Sequence, residues 1–233
     1  MGEVQVIALG GSLLRPDSEH DRNDWIEKIM KLLNQGISLG MKFILVVGGG
    51  APAREHITIA KQFIASSERL DTIGIAATRL NATMLQQIFA ANSFDVCSEI
   101  PTASNQVNDM IANHSLVLMG GTVPGQTTDT VAVNVACQTG AEHCIIATNV
   151  SHVYSKDPRE FKDAIPITAL SLHELLELTG EQLQPGASAV VDPVAIKKAI
   201  EGRMKILVLD GRQPDLIGAA TKNEHFDGTV ILP

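Results

Sequence analysis

The residues best suited to chemistry are glycines that directly follow short apolar runs. Residues 48–50 are three glycines placed after the apolar residues 43–47, and Arg54 follows about one helical turn later. Glycine lets an anion approach the backbone closely, and a helix that begins at Pro52 would point unpaired N–H groups at the loop. Arg54 would add a forked, charged donor. This stretch therefore predicts a phosphate site, although a tight turn alone could also require the glycines.

Two further apolar runs, residues 4–9 and residues 116–119, end in the same way. A glycine pair and a hydroxyl residue follow each of them: Gly10, Gly11 and Ser12 in the first case, Gly120, Gly121 and Thr122 in the second. The carboxyl ends of parallel strands lie together on one edge of a sheet, where ligands bind. Three such loops predict a shared anion-binding rim rather than three unrelated turns.

The rest of the chain divides into elements that would position these loops. Apolar, partly β-branched runs predict strands at residues 4–9, 43–47, 94–100, 116–119, 143–148, 205–209 and 229–232. Helical spacing and capping residues predict helices at residues 25–35, 52–65, 102–113, 129–139, 171–178, 192–199 and 214–220, and one that begins at residue 72 or 78 and extends to residue 89. Polar connections are expected at residues 15–24, 66–71, 149–159 and 184–190, and residues 165–170 are expected to be irregular or a strand. The alternation predicts an α/β fold of three layers, with helices covering both faces of a central, mainly parallel sheet.

Composition limits the classes of partner. Hydrophobic residues make up 45% of the 233 residues and charged residues 19%, so the chain is globular rather than disordered. The net charge of −8 argues against nucleic acid or an anionic membrane as a partner, but not against a small phosphorylated substrate. Cys97, Cys137 and Cys144 are scattered and predict buried thiols in a reducing compartment. With no leader sequence or membrane span predicted, we expect a cytoplasmic protein.

Two familiar nucleotide motifs fit the sequence only in part. Residues 48–53 match the dinucleotide pattern G-x-G-x-x-G/A, and Asp71 lies at about the distance expected for a ribose-binding carboxylate. That pattern normally opens its domain, whereas a complete strand, loop and helix precede it here. Residues 120–127 approach the P-loop pattern, but Gln126 stands where the lysine that reaches the phosphates should be. Neither a nicotinamide-binding protein nor a P-loop enzyme is therefore favoured.

Other polar residues have a structural explanation beside a functional one. The threonines of residues 122–128 could bind an anion or cap the next helix. Asp129 begins that apolar helix and could be its cap, while Lys197 could be an ordinary surface lysine. Residues 149–159 include the one tyrosine of the chain, but their composition would equally suit a solvated loop. Composition and spacing leave these alternatives open.

Seven stretches together form a pattern that extends over essentially the full length: residues 10–12, 46–54, 66–79, 120–129, 148–159, 191–197 and 227–231. The stretches SSERLDTIGIAATR and GGTVPGQTTD are the most specific of them. On these residues the chain resembles the amino-acid-kinase superfamily, and within it the archaeal-type uridylate (UMP) kinases. The glycine pairs alone would indicate only the superfamily.

The resemblance implies transfer of the γ-phosphoryl group of ATP to UMP, which gives UDP. It implies Mg²⁺ carried mainly by the ATP phosphates, and it assigns no protein ligand to the metal. Phosphoryl transfer depends on alignment and charge neutralisation, so no general base is required. The resemblance further implies one domain, with residues 1–140 on the acceptor side and residues 141–233 on the ATP side. It also implies a homo-oligomer, a hexamer built as a trimer of dimers.

The resemblance also implies roles for individual residues. The residues that would face UMP are Gly49, Asp71, Thr122, Val123, Pro124, Gly125, Gln126, Thr127 and Thr128, with Asp71 on the ribose hydroxyls. The residues that would hold ATP are Gly10, Gly11, Ser12, Gly50, Arg54, Thr148, Asn149, Tyr154 and Asp157. Arg54 and Lys197 would offset charge on the transferred group, and Asp129 would orient cationic groups or Mg²⁺.

Two positions depart from the family pattern. Ala8 stands where many superfamily members have lysine, which places more weight on Arg54, Lys197 and the metal. Ser151 and His152 stand where the usual pattern has Asp and Gly. These departures keep two alternatives open. One is a sibling kinase that acts on a carbamate, an acyl group or isopentenyl phosphate. The other is a non-catalytic protein that binds a nucleotide or an oxyanion.

Overall fold

A computed structural model describes residues 2–16, 18–158, 160–180 and 190–233. Most of the predicted connection at residues 184–190 lies outside the described residues, as does Arg159 at the end of the matched stretch 148–159. The description below concerns the remaining residues.

Nine strands occur in the described part of the chain. In chain order they are β1 Val4–Leu9, β2 Lys42–Val47, β3 Leu116–Met119, β4 His143–Thr148, β5 Val153–Tyr154, β6 Pro166–Ile167, β7 Ala169–Ser171, β8 Lys205–Asp210 and β9 Gly228–Leu232. Seven of them form one sheet in the order β3-β2-β1-β4-β8-β9-β7, while β5 and β6 form a separate antiparallel pair. The first five strands in this order are parallel, and β9 and β7, which are parallel to each other, run antiparallel to them. The carboxyl ends of the first five strands therefore lie on one edge.

The part of the chain that the structure describes contains eight α-helices. They are α1 Glu19–Ser38, α2 Gly50–Ala60, α3 Ser67–Ala91, α4 Val107–Asn113, α5 Thr128–Thr139, α6 Leu172–Thr179, α7 Pro193–Gly202 and α8 Pro214–Thr221. Apolar residues of α4, α5, α6 and α7 pack on one face, and those of α1, α3 and α8 pack on the other. Strand β1 serves both cores, because Val6 and Ala8 point to the first face and Ile7 and Leu9 to the second. The predicted three-layer α/β fold is confirmed.

Two helix starts were predicted too late. Helix α1 begins at Glu19 inside the expected polar connection, because Ser18 caps it by accepting a hydrogen bond from the Asp21 N–H at 3.0 Å. Helix α3 begins at Ser67, with Ser66 as its cap, so the predicted connection at residues 66–71 is wrong. The polar first turns of both helices resemble loops in composition. As a consequence, Asp71 lies on a helix.

Two other predictions are also wrong. Helix α2 ends at Ala60, five residues earlier than predicted. The strand predicted at residues 94–100 is reduced to a single bridge between Val96 and Leu116. By contrast, the capping box at Ser171 is confirmed, since the side chains and backbones of Ser171 and Glu174 bond reciprocally. No helix of the described residues is both long and apolar enough to cross a membrane.

Candidate active site

The first two glycine loops lie in direct backbone contact. Strand β1 brings Gly11 against residues 48–50, which follow β2, and a Cβ added to Gly48 would lie only 2.6 Å from the Gly11 nitrogen. Gly50 has a φ of +63°, a conformation that disfavours other residues. The Gly10 N–H donates to the Ala147 carbonyl at the end of β4, at 2.9 Å. The loops therefore converge on one rim, as predicted, and close packing is one reason for their glycines.

The third glycine loop packs on α3 instead. The Gly121 N–H donates to the Thr78 hydroxyl oxygen at 2.7 Å, and that hydroxyl donates to the Ile75 carbonyl at 2.6 Å. The Arg79 guanidinium donates to the carbonyls of Gly121 and Thr122 at 3.1 and 3.2 Å. One turn of a helix thus fixes the backbone on which the threonine loop is built.

The same helix also holds the second glycine loop. The buried Asn81 amide donates to the carbonyls of Gly48 and Gly49, at 2.8 and 3.2 Å. Thr78 and Asn81 lie three residues apart on the face of α3 that also carries the buried Ala82 and Leu85. Sequence reasoning missed these supporting residues. The available indication was a pair of polar residues on an otherwise apolar helical face.

A cleft of about 490 Å³ lies between the second and third loops. Its lining contains eight of the predicted site residues: Gly49, Gly50, Arg54, Asp71, Gly125, Gln126, Thr127 and Thr128. It also contains residues that were not predicted: Ala53, Ile57, Gly74, Ile75, Thr78 and Gly121. Of the described loop residues 122–128, Thr122, Val123 and Pro124 do not line the cleft. Val123 is instead exposed.

Asp71 connects the two sides of this cleft. The half-buried side chain of Asp71 extends from α3, and its Oδ2 accepts the Gly125 N–H at 2.8 Å. Gly125 has a φ of +81° and lies in a sharply turned, exposed part of the loop. A carboxylate oxygen accepts several hydrogen bonds, so Asp71 can fix the loop and bind hydroxyl groups at the same time. The cleft therefore combines N–H donors, hydroxyls, one arginine and one carboxylate.

Asp192 joins the amino termini of α5 and α7. Its Oδ1 accepts the N–H groups of Val194 and Ala195 at 2.8 and 3.0 Å, which caps α7. Its Oδ2 accepts the hydroxyls of Thr127 and Thr130, the latter at 3.0 Å. Thr127 in turn caps α5. Asp192 was predicted only to open a helix, and its link to the threonine loop depends on a contact between distant segments.

Asp129 lies in the first turn of α5, half-buried and near this carboxylate. Burial raises its pKa to about 7, and the negative charge of Asp192 adds to the effect. A cation beside the two carboxylates would relieve their repulsion, so the pair suits a metal or an ammonium group. The described residues contain no cluster of three or more His, Cys, Asp or Glu side chains that could hold a metal ion alone. Lys197 lies on the exposed side of α7 and does not line the cleft.

Two of the predicted ATP residues, Gly10 and Thr148, lie next to each other where β1 and β4 end. Gly10 is adjacent to Thr148 at the end of β4, where a Cβ added to Gly10 would lie 3.6 Å from the Thr148 Cα. Asn149 is exposed, and Asp157 is half-buried. Tyr154, in β5, shares a hydrogen bond of 2.9 Å with the Ser151 hydroxyl. Apart from Gly50 and Arg54, the predicted ATP residues lie outside the 490 Å³ cleft.

These features together define an α/β protein with a glycine-rich rim at one edge of its sheet, a cleft of about 490 Å³ lined by polar groups, and a carboxylate pair at the start of α5 and α7. Residues 3–210 match the Amino acid kinase family, and the chain belongs to this family.

Particular relatives are uridylate kinases. The uridylate kinase of Methanococcus maripaludis is 35% identical over 229 residues, which are 98% of this chain and 99% of that protein. The uridylate kinase of Haloarcula marismortui is 37% identical over 98% of each chain. The crystal structure of uridylate kinase from Archaeoglobus fulgidus has a TM-score of 0.81 at 34% identity and covers 99% of this chain and 100% of its own. The UMP kinase of Bacillus anthracis, at 22% identity and a TM-score of 0.80, shares the fold.

Proposed function

We propose that this protein is a uridylate kinase, which transfers the γ-phosphoryl group of ATP to UMP and so serves pyrimidine nucleotide synthesis. The observation that carries the proposal is the similarity to archaeal uridylate kinases over nearly the whole of both chains. The gathering of eight predicted site residues in one cleft supports it. An oxygen of the UMP phosphate forms a bond to the γ-phosphorus, and the bond to the bridging oxygen breaks, which releases ADP.

On the acceptor side, UMP would occupy the 490 Å³ cleft. Asp71 would accept the ribose hydroxyls, while Gly49 and the threonine loop would bind the uracil and the phosphate. The support for this arrangement is the framework beneath it. Hydrogen bonds of the Thr78, Arg79 and Asn81 side chains hold the backbone of both loops. A binding site prepared in this way does not have to order its own loops at the moment of reaction.

On the donor side, ATP would lie along Gly10, Gly11, Ser12 and Gly50 towards Thr148, Asn149, Tyr154 and Asp157. Arg54 and Lys197 would offset the charge of the transferred group. The family implies a divalent metal with ATP, and we propose Mg²⁺. When bound, Mg²⁺ would neutralise phosphate charge, and Asp129 is the residue suited to hold or orient it. The support is the pKa of Asp129, which burial and Asp192 raise to about 7 in the absence of a cation.

We further propose that residues 1–140 form the acceptor side and residues 141–233 the ATP side of one domain. The three cysteines are free thiols, which supports a reducing cytoplasm. A hexamer built from dimers is proposed on family resemblance, and light scattering of the purified protein would test it.

A coupled assay of ADP formation with Mg-ATP and separate acceptors tests the proposal. UMP should be turned over in clear preference to carbamate, to a carboxylate that would give an acyl phosphate, and to isopentenyl phosphate. Turnover of one of those acceptors in place of UMP would contradict the proposed substrate. Tight ATP binding without ADP release under any acceptor would indicate a binding protein instead.

A further inference from the structure

His152 is a buried side chain in the segment between β4 and β5, and only 7% of the residue is exposed. Its Nε2 lies 3.6 Å from the Oδ1 of Asp227, a residue whose side chain is largely exposed just before β9. The edge of the ring faces Tyr154, with the ring centroids 6.2 Å apart and the planes at 78°. His152 therefore contacts a strand of the main sheet on one side and a predicted ATP residue on the other.

The hydrogen bonds of this imidazole are incomplete. Its Nδ1 is buried and has no hydrogen-bond partner among the described residues. A buried polar atom without a partner destabilises a fold, so an apolar or small residue would suit this position better on stability alone. The contacts that favour histidine here are the pairing with Asp227 and the edge-on contact with Tyr154. Both of these contacts act on the segment that carries the predicted ATP residues.

That segment is also attached to the sheet by hydrogen bonds and by the buried Val153 side chain. The Val153 N–H donates to the Thr229 hydroxyl oxygen at 2.9 Å, and that hydroxyl donates to the Ile167 carbonyl at 2.5 Å. The strand pair β5 and β6 contains two residues on each side. Asp227 and Thr229 are two residues apart, so a short stretch at the start of β9 holds the segment at two neighbouring points. A glycine at position 152 would remove one of them.

We propose that His152 is a positioning residue for the ATP side of the site, an inference that rests on the proposed kinase function. By pairing with Asp227 and packing against Tyr154, it holds residues 149–157 in the arrangement that binds ATP. His152 touches neither the transferred phosphoryl group nor UMP. Its loss therefore weakens ATP binding and leaves the chemical step and UMP binding unaltered.

The test measures KM for ATP, KM for UMP and kcat in four variants. His152→Ala should raise KM for ATP about five- to tenfold, and Asp227→Asn about three- to fivefold, since the latter removes only the contact of His152 with a carboxylate. The variant with both substitutions should have a KM for ATP no higher than that of His152→Ala, because both act through one contact. His152→Gln, which keeps a polar side chain facing Asp227, should recover part of the affinity. In each variant, kcat and KM for UMP should stay within about twofold of the wild type.

Two matched controls separate this contact from general effects. His225→Ala alters another histidine that lines the same 410 Å³ cleft as His152 and Asp227. Asp109→Asn removes an exposed carboxylate on α4. Neither should change KM for ATP.

An unchanged KM for ATP in Asp227→Asn and His152→Ala, with both folded, would overturn the inference. A parallel rise in both KM values would do so too, because it would indicate a general structural role. Asp227 is exposed, so its variant tests the pairing even if His152→Ala fails to fold. If the wild type did not phosphorylate UMP, the proposed function would fail, and calorimetric titration with Mg-ATP would still decide whether His152 supports ATP binding.

Discussion

The 490 Å³ cleft proposed for UMP and the segment proposed for ATP, residues 149–158, are held in place in different ways. Around the cleft, side chains of α3 bond directly to the backbone of two glycine loops, through Thr78, Arg79 and Asn81. Asp71 adds a bond to the tip of the threonine loop. The proposed ATP segment, residues 149–158, is held instead by contacts of several kinds, among them the β5–β6 strand pair, the Thr229 hydroxyl, the buried Val153 side chain and the His152 contact.

The difference indicates where each half of the proposed site obtains its geometry. The acceptor side is fixed by bonds between the backbone and buried residues of a long helix, so local changes there alter the position of several groups together. The proposed ATP segment is held by contacts of several kinds at separate points, so we expect that one of them can be removed while the others remain. Substitutions that move the backbone on the acceptor side should therefore have large effects on several kinetic constants at once. Substitutions on the ATP side should have smaller effects, confined to KM for ATP.

Asp129→Asn should have the largest effect, because Asp129 and Asp192 form the carboxylate pair that we propose to hold or orient the metal. Loss of the Asp129 charge should lower kcat by about 10²-fold or more, since cations held there would stabilise the transferred group. Steady-state kinetics at saturating ATP and UMP would measure this. A kcat near that of the wild type would remove Asp129 from the proposed catalytic set.

Asp129→Asn should also change the pH dependence of the free energy of unfolding. Although it lowers kcat, it should raise stability at high pH. The folded pKa of Asp129 is raised to about 7, whereas an unfolded aspartate ionises near 4. The stability that it contributes is present below the unfolded pKa and is lost as pH rises towards 7. Near pH 8, without ligands, Asp129→Asn should therefore unfold with a free energy higher by on the order of 1–3 kcal/mol. Urea unfolding from about pH 5 to about pH 8 would measure the difference, and a constant difference would contradict it.

Gly48→Ala should come next, as a test of the contact between the glycine loops. The new Cβ would lie 2.6 Å from the Gly11 nitrogen, so one of the two loops must move. The free energy of unfolding should fall by about 1–3 kcal/mol, and kcat/KM should fall by about 10²-fold for both substrates. Gly140→Ala is the matched control, because Gly140 has a φ of +68° but open space around its Cα. It should cost about 1 kcal/mol of stability and leave kinetics unchanged. Equal effects of the two substitutions would indicate conformational strain rather than loop contact.

Asp71→Asn should affect the acceptor alone. The amide oxygen can still accept the Gly125 N–H, so the loop should keep its position while the charge is lost. KM for UMP should rise about tenfold, the size expected for weakened hydrogen bonds to a charged group, and KM for ATP should not change. An equal rise for ATP would contradict the division of the site into two sides.

Thr229→Val should have the smallest effect, and it should change KM for ATP rather than KM for UMP. It removes the acceptor of the Val153 N–H while keeping the buried volume nearly constant. Two neutral hydrogen bonds are lost, one from the Val153 N–H and one to the Ile167 carbonyl, both at a distance from the proposed ATP site, so KM for ATP should rise about threefold. Thr221→Val, a buried threonine on α8, is the control and should leave both KM values unchanged. A larger rise in KM for UMP than in KM for ATP would contradict the assignment of this segment to ATP.

The sequence allowed the sheet and its rim to be predicted well. Strand β1 was predicted at its observed bounds and β2 to within one residue, because buried apolar runs that end in glycine leave little choice of boundary. The start of α3 was missed because its first turn is polar, and with it the position of Asp71 on a helix. The support from Thr78 and Asn81, and the link from Asp192 to Thr127, join residues that are distant along the chain. Patterns of local spacing carry no information about such contacts.

A crystal structure of the protein with UMP and a non-hydrolysable ATP analogue tests the central claim most directly. The account predicts UMP in the cleft beside Asp71 and the threonine loop, with the ATP phosphates along Gly10 and Gly50 and the γ-phosphate directed at the UMP phosphate. Nucleotides bound on different edges of the sheet, or UMP outside the cleft, would contradict it.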